Sequence, residues 1–327
     1  MSNSETRISA STPEGEPKTG IVQRSPFRLA LGRLSQNVPA LVSAGYILFL
    51  VLLAVFAPVI SHVTGINPNY QDSAHGLSDS GAPVGPSARF LFGADQLGRD
   101  LMMRIIYGAR VSLAVAGIAT VGALGIGIII GMTAGFVRGR VDVVLNWLID
   151  TTLSIPQLLI AIALVSLIGP SFGITVLIIV LFSWAPIARV IRGETLALRE
   201  REFIEASRSI GSGWIRVLRV DLLPNLASTA IVYGTLLVPQ AIVFEATLSF
   251  LGLGVTPPTA TWGNMLAAAT AGQMYTIAWW MLVFPVFALV STTLAFNIFG
   301  DALRDVVDPK SSIRSAGKRR RQKGVAA

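Results

Sequence analysis

The sequence predicts an all-α polytopic membrane protein with about six transmembrane helices, and three observations carry that prediction. Of the 327 residues, 52% are hydrophobic and only 13% charged, whereas soluble domains carry about a quarter charged residues. The charges are confined to the two ends and to the stretches between apolar runs. The runs themselves are about 20 residues long, enough to cross a bilayer as a helix and unlike the roughly 10-residue alternating strands of a membrane barrel. A segment in hydrocarbon must satisfy its own backbone, and a continuous apolar run does so only as a helix.

In chain order, the runs place spans over residues 40–60, 111–136, 145–168, 174–191, 229–251 and 278–299. Before them lies a polar, basic stretch over residues 1–37. Its lack of an early apolar core and small-residue cleavage site marks it as a retained cytoplasmic tail. The body is expected over residues 38–308, and a basic tail over 309–327 follows it. The second span carries Gly127, Gly131 and Gly135, a spacing that lets another helix approach its backbone; ordinary membrane-helix glycine is the alternative. Pro156, Pro186, Pro239 and Pro285 fall inside spans three to six, where each removes a backbone hydrogen bond and tends to bend its helix.

Loop charge sets the orientation. Residues 1–37, the loop at Arg138 and Arg140, the loop from Arg189 to Arg219 and the segment from Arg304 onward hold all but four of the 26 Lys and Arg. These regions alternate onto one side, so both termini are expected to be cytoplasmic. The exceptions, Arg89, Arg99, Arg104 and Arg110, stand among Asp72, Asp79, Asp95 and Asp100 in the first outer loop, and the outer loop 252–275 carries no charge. Asp95, Arg99 and Asp100, with Trp262, mark an outer mouth. The three charged residues are expected to form local surface ion pairs and caps, each of little energetic weight. Trp262 and Tyr275 are expected to anchor at the membrane interface.

Glu245 lies inside span five. A carboxylate at mid-helix costs about 3 kcal/mol, and each Leu, Ile, Val or Phe contributes only about 0.3–0.6. It must therefore face protein or a wet cavity. Two roles stay open: lining or gating a path with Pro239 and Gln240, or making a structural hydrogen bond between helices.

The loop before span five carries the most specific signal. Residues 200–210 form a short helix with Phe203, Ala206 and Ile210 on one apolar stripe. Gly211 supplies a left-handed C-terminal stop. A second short helix follows, with Trp214, Val217 and Leu218 on its apolar side, and Pro224 is expected to stop it. Two short helices around a glycine turn, outside the lipid, make an element suited to docking.

Glu205-Ala206-Ser207, three residues, Gly211, nine residues and Asp221-Leu222-Leu223-Pro224 resemble the EAA loop of ABC-importer permeases. Two positions depart from the general pattern: Ser207 replaces the second Ala, and Asp221 stands where an apolar residue is usual. Further stretches resemble the C-type permeases of dipeptide and oligopeptide importers: FGADQLGRD (92–100), IYGARVSL (106–113), LSFLGLGVTPP (248–258), WGNML (262–266), and LAFNIFGDALRD (294–305) with Asp308-Pro309. The resemblance covers roughly residues 35–310.

It implies a type I ABC-importer permease fold in the bacterial inner membrane, with loop 199–224 as the coupling element. Glu205, Ala206, Ser207, Gly211, Leu223 and Pro224 carry that role over by position. It further implies a B-type permease as heterodimer partner, two cytoplasmic ATP-binding subunits holding ATP and Mg, and an extracytoplasmic solute-binding protein at the outer mouth. The solute would be a di- or oligopeptide, with nickel chelates, opines, glutathione or haem-like ligands as alternatives.

Other classes are disfavoured by what the sequence lacks. There is no Cys, and His62 and His75 are the only histidines, which removes disulfides, thiolate nucleophiles and Cys-ligated zinc and makes a metal site improbable. No G-x-x-x-x-G-K-[ST] motif is present, so no phosphate-cradling loop of that kind resides in this chain and no enzymatic activity is expected of it. The net charge of +8 follows topology rather than nucleic-acid binding. An ion-coupled secondary carrier would show internal repeats, and none is seen.

Overall fold

In the computed structural model, which describes residues 37–307, the chain is helical, with two isolated β-bridges and no β-sheet among the described residues. Apart from the short turns Ser73–Gly76 and Trp214–Arg216, the α-helices are α1 (Val38–Thr64), α2 (Leu101–Val137), α3 (Gly139–Ser154), α4 (Gln157–Ile168), α5 (Phe172–Arg199), α6 (Glu202–Ser209), α7 (Leu223–Phe250), α8 (Trp262–Thr270) and α9 (Trp280–Val307). Five helical stretches are long and apolar enough to cross a membrane, and a sixth crossing arises if α3 and α4 are one broken span. The expected tails at 1–37 and 309–327, including the Lys318–Lys323 basic run, lie outside the described residues except for Asn37.

α2 is the central element. It begins ten residues before the expected span because Asp100 caps it, accepting from the Met103 N–H at 2.7 Å. Its 37 residues make a rod of about 55 Å at 1.5 Å per residue, well beyond a hydrocarbon core of about 30 Å. Its three spaced glycines lie directly on α5. A Cβ at Gly127 would meet the Trp184 carbonyl at 2.9 Å, at Gly131 the Ala188 carbonyl at 2.4 Å, and at Gly135 the Arg192 carbonyl at 2.8 Å. Only a residue without a side chain lets the two backbones approach this closely. α1, α7 and α9 surround α2, with Ala54, Ala109, Val115, Ala116, Ala119, Ile242 and Met281 in the shared core.

The third span differs from expectation. Instead of one bent helix over 145–168, α3 and α4 meet at 82°. Pro156 has no N–H to continue the ladder, and Ile155 before it is extended at φ −86°, ψ 125°, as the steric demands of the proline ring favour. The break also divides two solvents. α3 carries Arg140, Asp142, Asn146 and Asp150, whereas α4 after Gln157 has Ser166 as its single polar residue. Pro186, Pro239 and Pro285 stay inside continuous helices.

α3 is held to α5 by charge. Arg192 donates from Nε and Nη2 to the two carboxylate oxygens of Asp142 at 2.6 and 2.8 Å, and Arg189 pairs with Asp150. These contacts lie at the end of the bundle where Arg138, Arg199, Arg208 and Arg216 gather, here called the basic end.

At the opposite end, the loop between α1 and α2 folds onto the bundle. Trp280 donates from Nε1 to the Ala94 carbonyl at 2.9 Å, and Phe92 stacks on Phe284 with centroids 4.3 Å apart. Gly93 has φ +81°, and a Cβ there would meet the Trp280 indole at 2.5 Å. The uncharged segment 252–275 is not an open loop: most of it forms α8 and a 3-10 turn. Thr261 and Asn264 cap α8 reciprocally, and Gly263 seats it on α7, where a Cβ would meet the Ala246 carbonyl at 2.3 Å.

Candidate functional site

The element at the basic end is built from local rules. α6 stops in a paired-hydrogen-bond glycine motif: Gly211, at φ +79°, donates to Arg208 O at 2.9 Å, and Ser212 donates to Ser207 O at 3.2 Å. A left-handed glycine after the helix is what this pattern requires. Ile204 is the anchor, buried with Leu198, Val217, Leu218 and Leu222. Arg208 adds a cation–π contact, its Cζ 4.7 Å from the Phe136 ring at the end of α2.

The stripe read from the sequence faces the other way. Phe203 is 44% and Ile210 81% exposed, and Ala206 is exposed as well. The apolar side of the following turn is likewise divided: Val217 and Leu218 are buried, while Trp214 is 58% exposed. Glu205 is also exposed. α6 therefore uses one apolar residue to hold itself and presents the rest outward.

Pro224 does not stop the second helix. A turn at Trp214–Arg216 runs through a π-helical segment, Val217–Leu222, directly into α7. The wider segment lets Leu223 donate to Leu218 O, and the N–H-less Pro224 falls in the first turn of α7, where proline is tolerated. Asn225 Nδ2 donates to Asp221 O at 2.6 Å. Leu223 and Pro224 are both exposed.

The two residues that depart from the general loop pattern meet. Ser207 Oγ donates to Asp221 Oδ2 at 2.8 Å, tying α6 to the π segment across fourteen residues of chain. Nothing in sequence spacing alone announces this pair.

At the opposite end, Asp95, Arg99, Asp100 and Trp262 are not surface groups, which corrects the expectation of exposed pairs and an interfacial tryptophan. All four are buried, Trp262 completely. Asp95 Oδ2 accepts from Arg99 Nε at 2.7 Å, and its Oδ1 accepts from the Leu97 and Arg99 N–H groups at 2.9 and 3.0 Å. Arg104 Nε lies 3.4 Å from Asp95 Oδ2 without hydrogen-bond geometry. Its Nη1 reaches Pro68 O and Asn69 Oδ1 at 3.3 Å. Burial pushes the Asp100 carboxyl up, against the backbone hydrogen bonds of the cap. Trp262 Nε1 donates to Ile105 O at 3.2 Å. The cluster is covered because Phe92, Trp280 and α8 close over it. Tyr275 remains exposed.

Pro239 and Gln240 line a cavity of about 420 Å³ among α4, α5, α7 and α9. Glu245 does not join them. It is wholly buried and accepts from Ser112 Oγ of α2 and Ser249 Oγ of α7, both at 2.7 Å. That is the geometry of an interhelical hydrogen bond. Gln157, Ser183 and Asn297 also line the cavity; polar residues in apolar runs were the only signal that could have found them.

Comparison with known proteins agrees with this architecture. Residues 127–313 match the family model described as binding-protein-dependent transport system inner membrane component. Residues 25–77 match the N-terminal TM domain of oligopeptide transport permease C. The dipeptide transport system permease protein of Bacillus subtilis (strain 168) is 38% identical over 282 residues, 85% of this chain and 84% of that one. The glutathione transport system permease protein of Shigella dysenteriae serotype 1 is 37% identical over 287 residues, covering 88% and 91%. Among solved structures, a chain of a methionine ABC transporter in inward facing conformations matches with TM-score 0.50 at 17% identity, over 63% of this chain and 97% of that chain, and so shares the fold. With apolar spans around a glycine-packed α2 and a family match over more than half its length, the chain belongs to the binding-protein-dependent transport system inner membrane components, as a C-type permease of the ABC importers in the bacterial inner membrane.

Proposed function

We propose that this chain is the permease subunit through which di- or oligopeptides are imported, working with a B-type permease, two cytoplasmic ATP-binding subunits and an extracytoplasmic binding protein. The observation that carries the coupling role is α6. It is capped by Gly211, anchored by Ile204 and presents Phe203, Ala206 and Ile210 outward at the basic end. An exposed apolar stripe on a rigid stub has no reward within the chain and fits a groove on another protein. The basic end, and with it both tails, is cytoplasmic by the positive-inside rule. The 199–224 loop is the coupling part of a transmembrane body over residues 38–308.

ATP binding and hydrolysis belong to the partner chains. Closure of the ATPase pair moves α6, and through the Ser207–Asp221 bond and the continuous π segment the displacement passes into α7, the helix that bears Pro239 and Gln240. Glu205, Ala206, Ser207, Gly211, Leu223 and Pro224 form the coupling surface and its root. Asp95, Arg99, Asp100 and Trp262 support the outer face from beneath rather than touching the binding protein.

Peptide as the solute rests on relatives named for dipeptides. The glutathione permease relative supports a second reading, in which the solute is a modified tripeptide. Uptake of labelled di- through octapeptides and of glutathione, with and without this chain, separates the two. Gly211→Val tests coupling: its backbone strain is expected to abolish transport while membrane insertion remains. Normal uptake by that variant removes the coupling assignment.

A further inference from the structure

Membrane helices rarely leave polar side chains unpaired, and this chain follows that rule almost everywhere. Thr133, Thr152, Ser166, Thr195, Thr235, Thr247 and Thr292 each return their hydroxyl to the carbonyl four residues earlier. The buried Thr120 hydroxyl of α2 is one exception, and four more stand out by their position: Gln157 on α4, Ser183 on α5, Gln240 on α7 and Asn297 on α9. None of the four makes a hydrogen bond with another described residue. An amide moved from water to a medium without hydrogen-bonding partners costs about 4–8 kcal/mol, so four such groups do not face lipid together by accident.

They converge. All four line the cavity of about 420 Å³, and Gln157, Ser183 and Gln240 also line an adjoining cavity of about 350 Å³ toward the basic end, with Thr152 and Tyr233. The two spaces share three polar residues and form one furrow along the bundle. Ser183 lies eleven residues from the outer end of α5 and Gln240 ten residues from the outer end of α7. At 1.5 Å per residue both are about 15 Å deep, near the middle of a core about 30 Å thick. No charged side chain lines either cavity.

From this we infer that Gln157, Ser183, Gln240 and Asn297 are the chain's share of an uncharged, amide-lined lane that takes the peptide main chain and is indifferent to side-chain charge. A carboxamide offers both a donor and an acceptor, the same pair that a peptide group presents. A lining of Asp, Glu, Lys or Arg would hold one class of side chain and repel the other. Neutral amides bind the part common to all peptides, and a hydroxyl adds a contact of either sense. This inference rests on the peptide reading above and goes beyond it by naming the groups and what they recognise.

The absence of Cys makes the test direct. Gln157→Cys, Ser183→Cys, Gln240→Cys and Asn297→Cys are made singly in the full importer in membrane vesicles, with Leu159→Cys and Leu181→Cys as exposed apolar controls on α4 and α5. A charged, membrane-impermeant thiol reagent is applied with and without acidic, basic and neutral dipeptides, binding protein and ATP. The four positions are expected to react several-fold faster than the controls and to be protected alike by all three dipeptides during turnover. Ser183→Cys is close to isosteric and keeps the test sound if an amide variant fails to assemble. Reaction no faster than the controls shows that these groups face lipid or partner helices and overturns the lane. Protection by dipeptides of one charge only overturns the indifference to side chains. A wild-type importer that moves neither dipeptides nor longer peptides overturns the peptide reading itself; one that moves peptides while the four positions stay unreactive overturns the lane alone.

Discussion

The Ser207–Asp221 hydrogen bond is the sharpest point at which the coupling element can be tested. Ser207 Oγ lies 2.8 Å from Asp221 Oδ2, and both residues are half-buried. A hydrogen bond to a charged group contributes about 1.5–3 kcal/mol, and partial solvation places this one near or below the lower end. Taking about 1 kcal/mol, loss of the bond changes the ordered-to-disordered ratio of the loop about fivefold, since tenfold corresponds to about 1.4 kcal/mol. Ser207→Ala and Asp221→Val are each expected to lower peptide-dependent ATP hydrolysis in the reconstituted importer by up to about fivefold, the limit that this ratio sets. The double variant restores the small and apolar residues of the general loop pattern and removes both ends of one interaction. It is expected to be no worse than either single variant, a coupling energy of about 1 kcal/mol in a double-mutant cycle. Ser207→Thr, which keeps the hydroxyl, is expected to hold most of the activity. Additive losses in the double variant would refute the reasoning, because they would show that the two side chains act separately.

Other expectations follow from the packing. Gly131→Leu places a side chain against the Ala188 carbonyl, where the Cβ alone would stand at 2.4 Å; overpacking of this kind costs about 1–3 kcal/mol, read as a lower melting temperature of the solubilised complex, and an unchanged melt would argue against the tight α2–α5 crossing. Glu245→Gln keeps an acceptor for Ser112 and Ser249 and is expected to be tolerated, whereas Glu245→Leu leaves buried hydroxyls unpaired at about 1–3 kcal/mol; equal thermal stability of the two would contradict the hydrogen-bond role. Asp95→Ala strips Arg99 and Arg104 of their carboxylate and is expected to destabilise by about 3–5 kcal/mol, the range for one-sided loss of a buried pair, with raised hydrogen exchange in residues 66–100; unchanged exchange there would show that the pair does not hold the outer loop.

Much of this architecture is legible before any coordinates. The apolar runs are dictated by the solvent, because a bilayer admits only segments that satisfy their own backbone. Gly211 is required by a local conformation, and Gly127, Gly131 and Gly135 by a repeat that keeps one helix face bare. Such features depend on residues within one or two helical turns, and a sequence displays them directly. The solvent preference of α3 against α4 is also written in the chain, although which of the four expected prolines would break its helix is not.

Other properties came only from long-range packing. Asp95, Arg99, Asp100 and Trp262 read as surface groups because charge and aromatic edges usually mark surfaces; Trp262 instead bonds to Ile105 and Trp280 to Ala94, each partner more than 150 residues away. The stripe of α6 is visible as a period, but which side it turns outward depends on Ile204 finding Leu198, Val217 and Leu222. Ser207 and Asp221 look like two unrelated departures until the π segment brings them together. Gln157, Ser183, Gln240 and Asn297 are lone polar letters in four separate apolar runs, and they become one lining only when α4, α5, α7 and α9 enclose a common space. The sequence by itself determined the solvent, the spans and the docking stub, since each follows from neighbours along the chain. The tertiary structure decided burial, partnership and the cavity, since these depend on which distant faces meet.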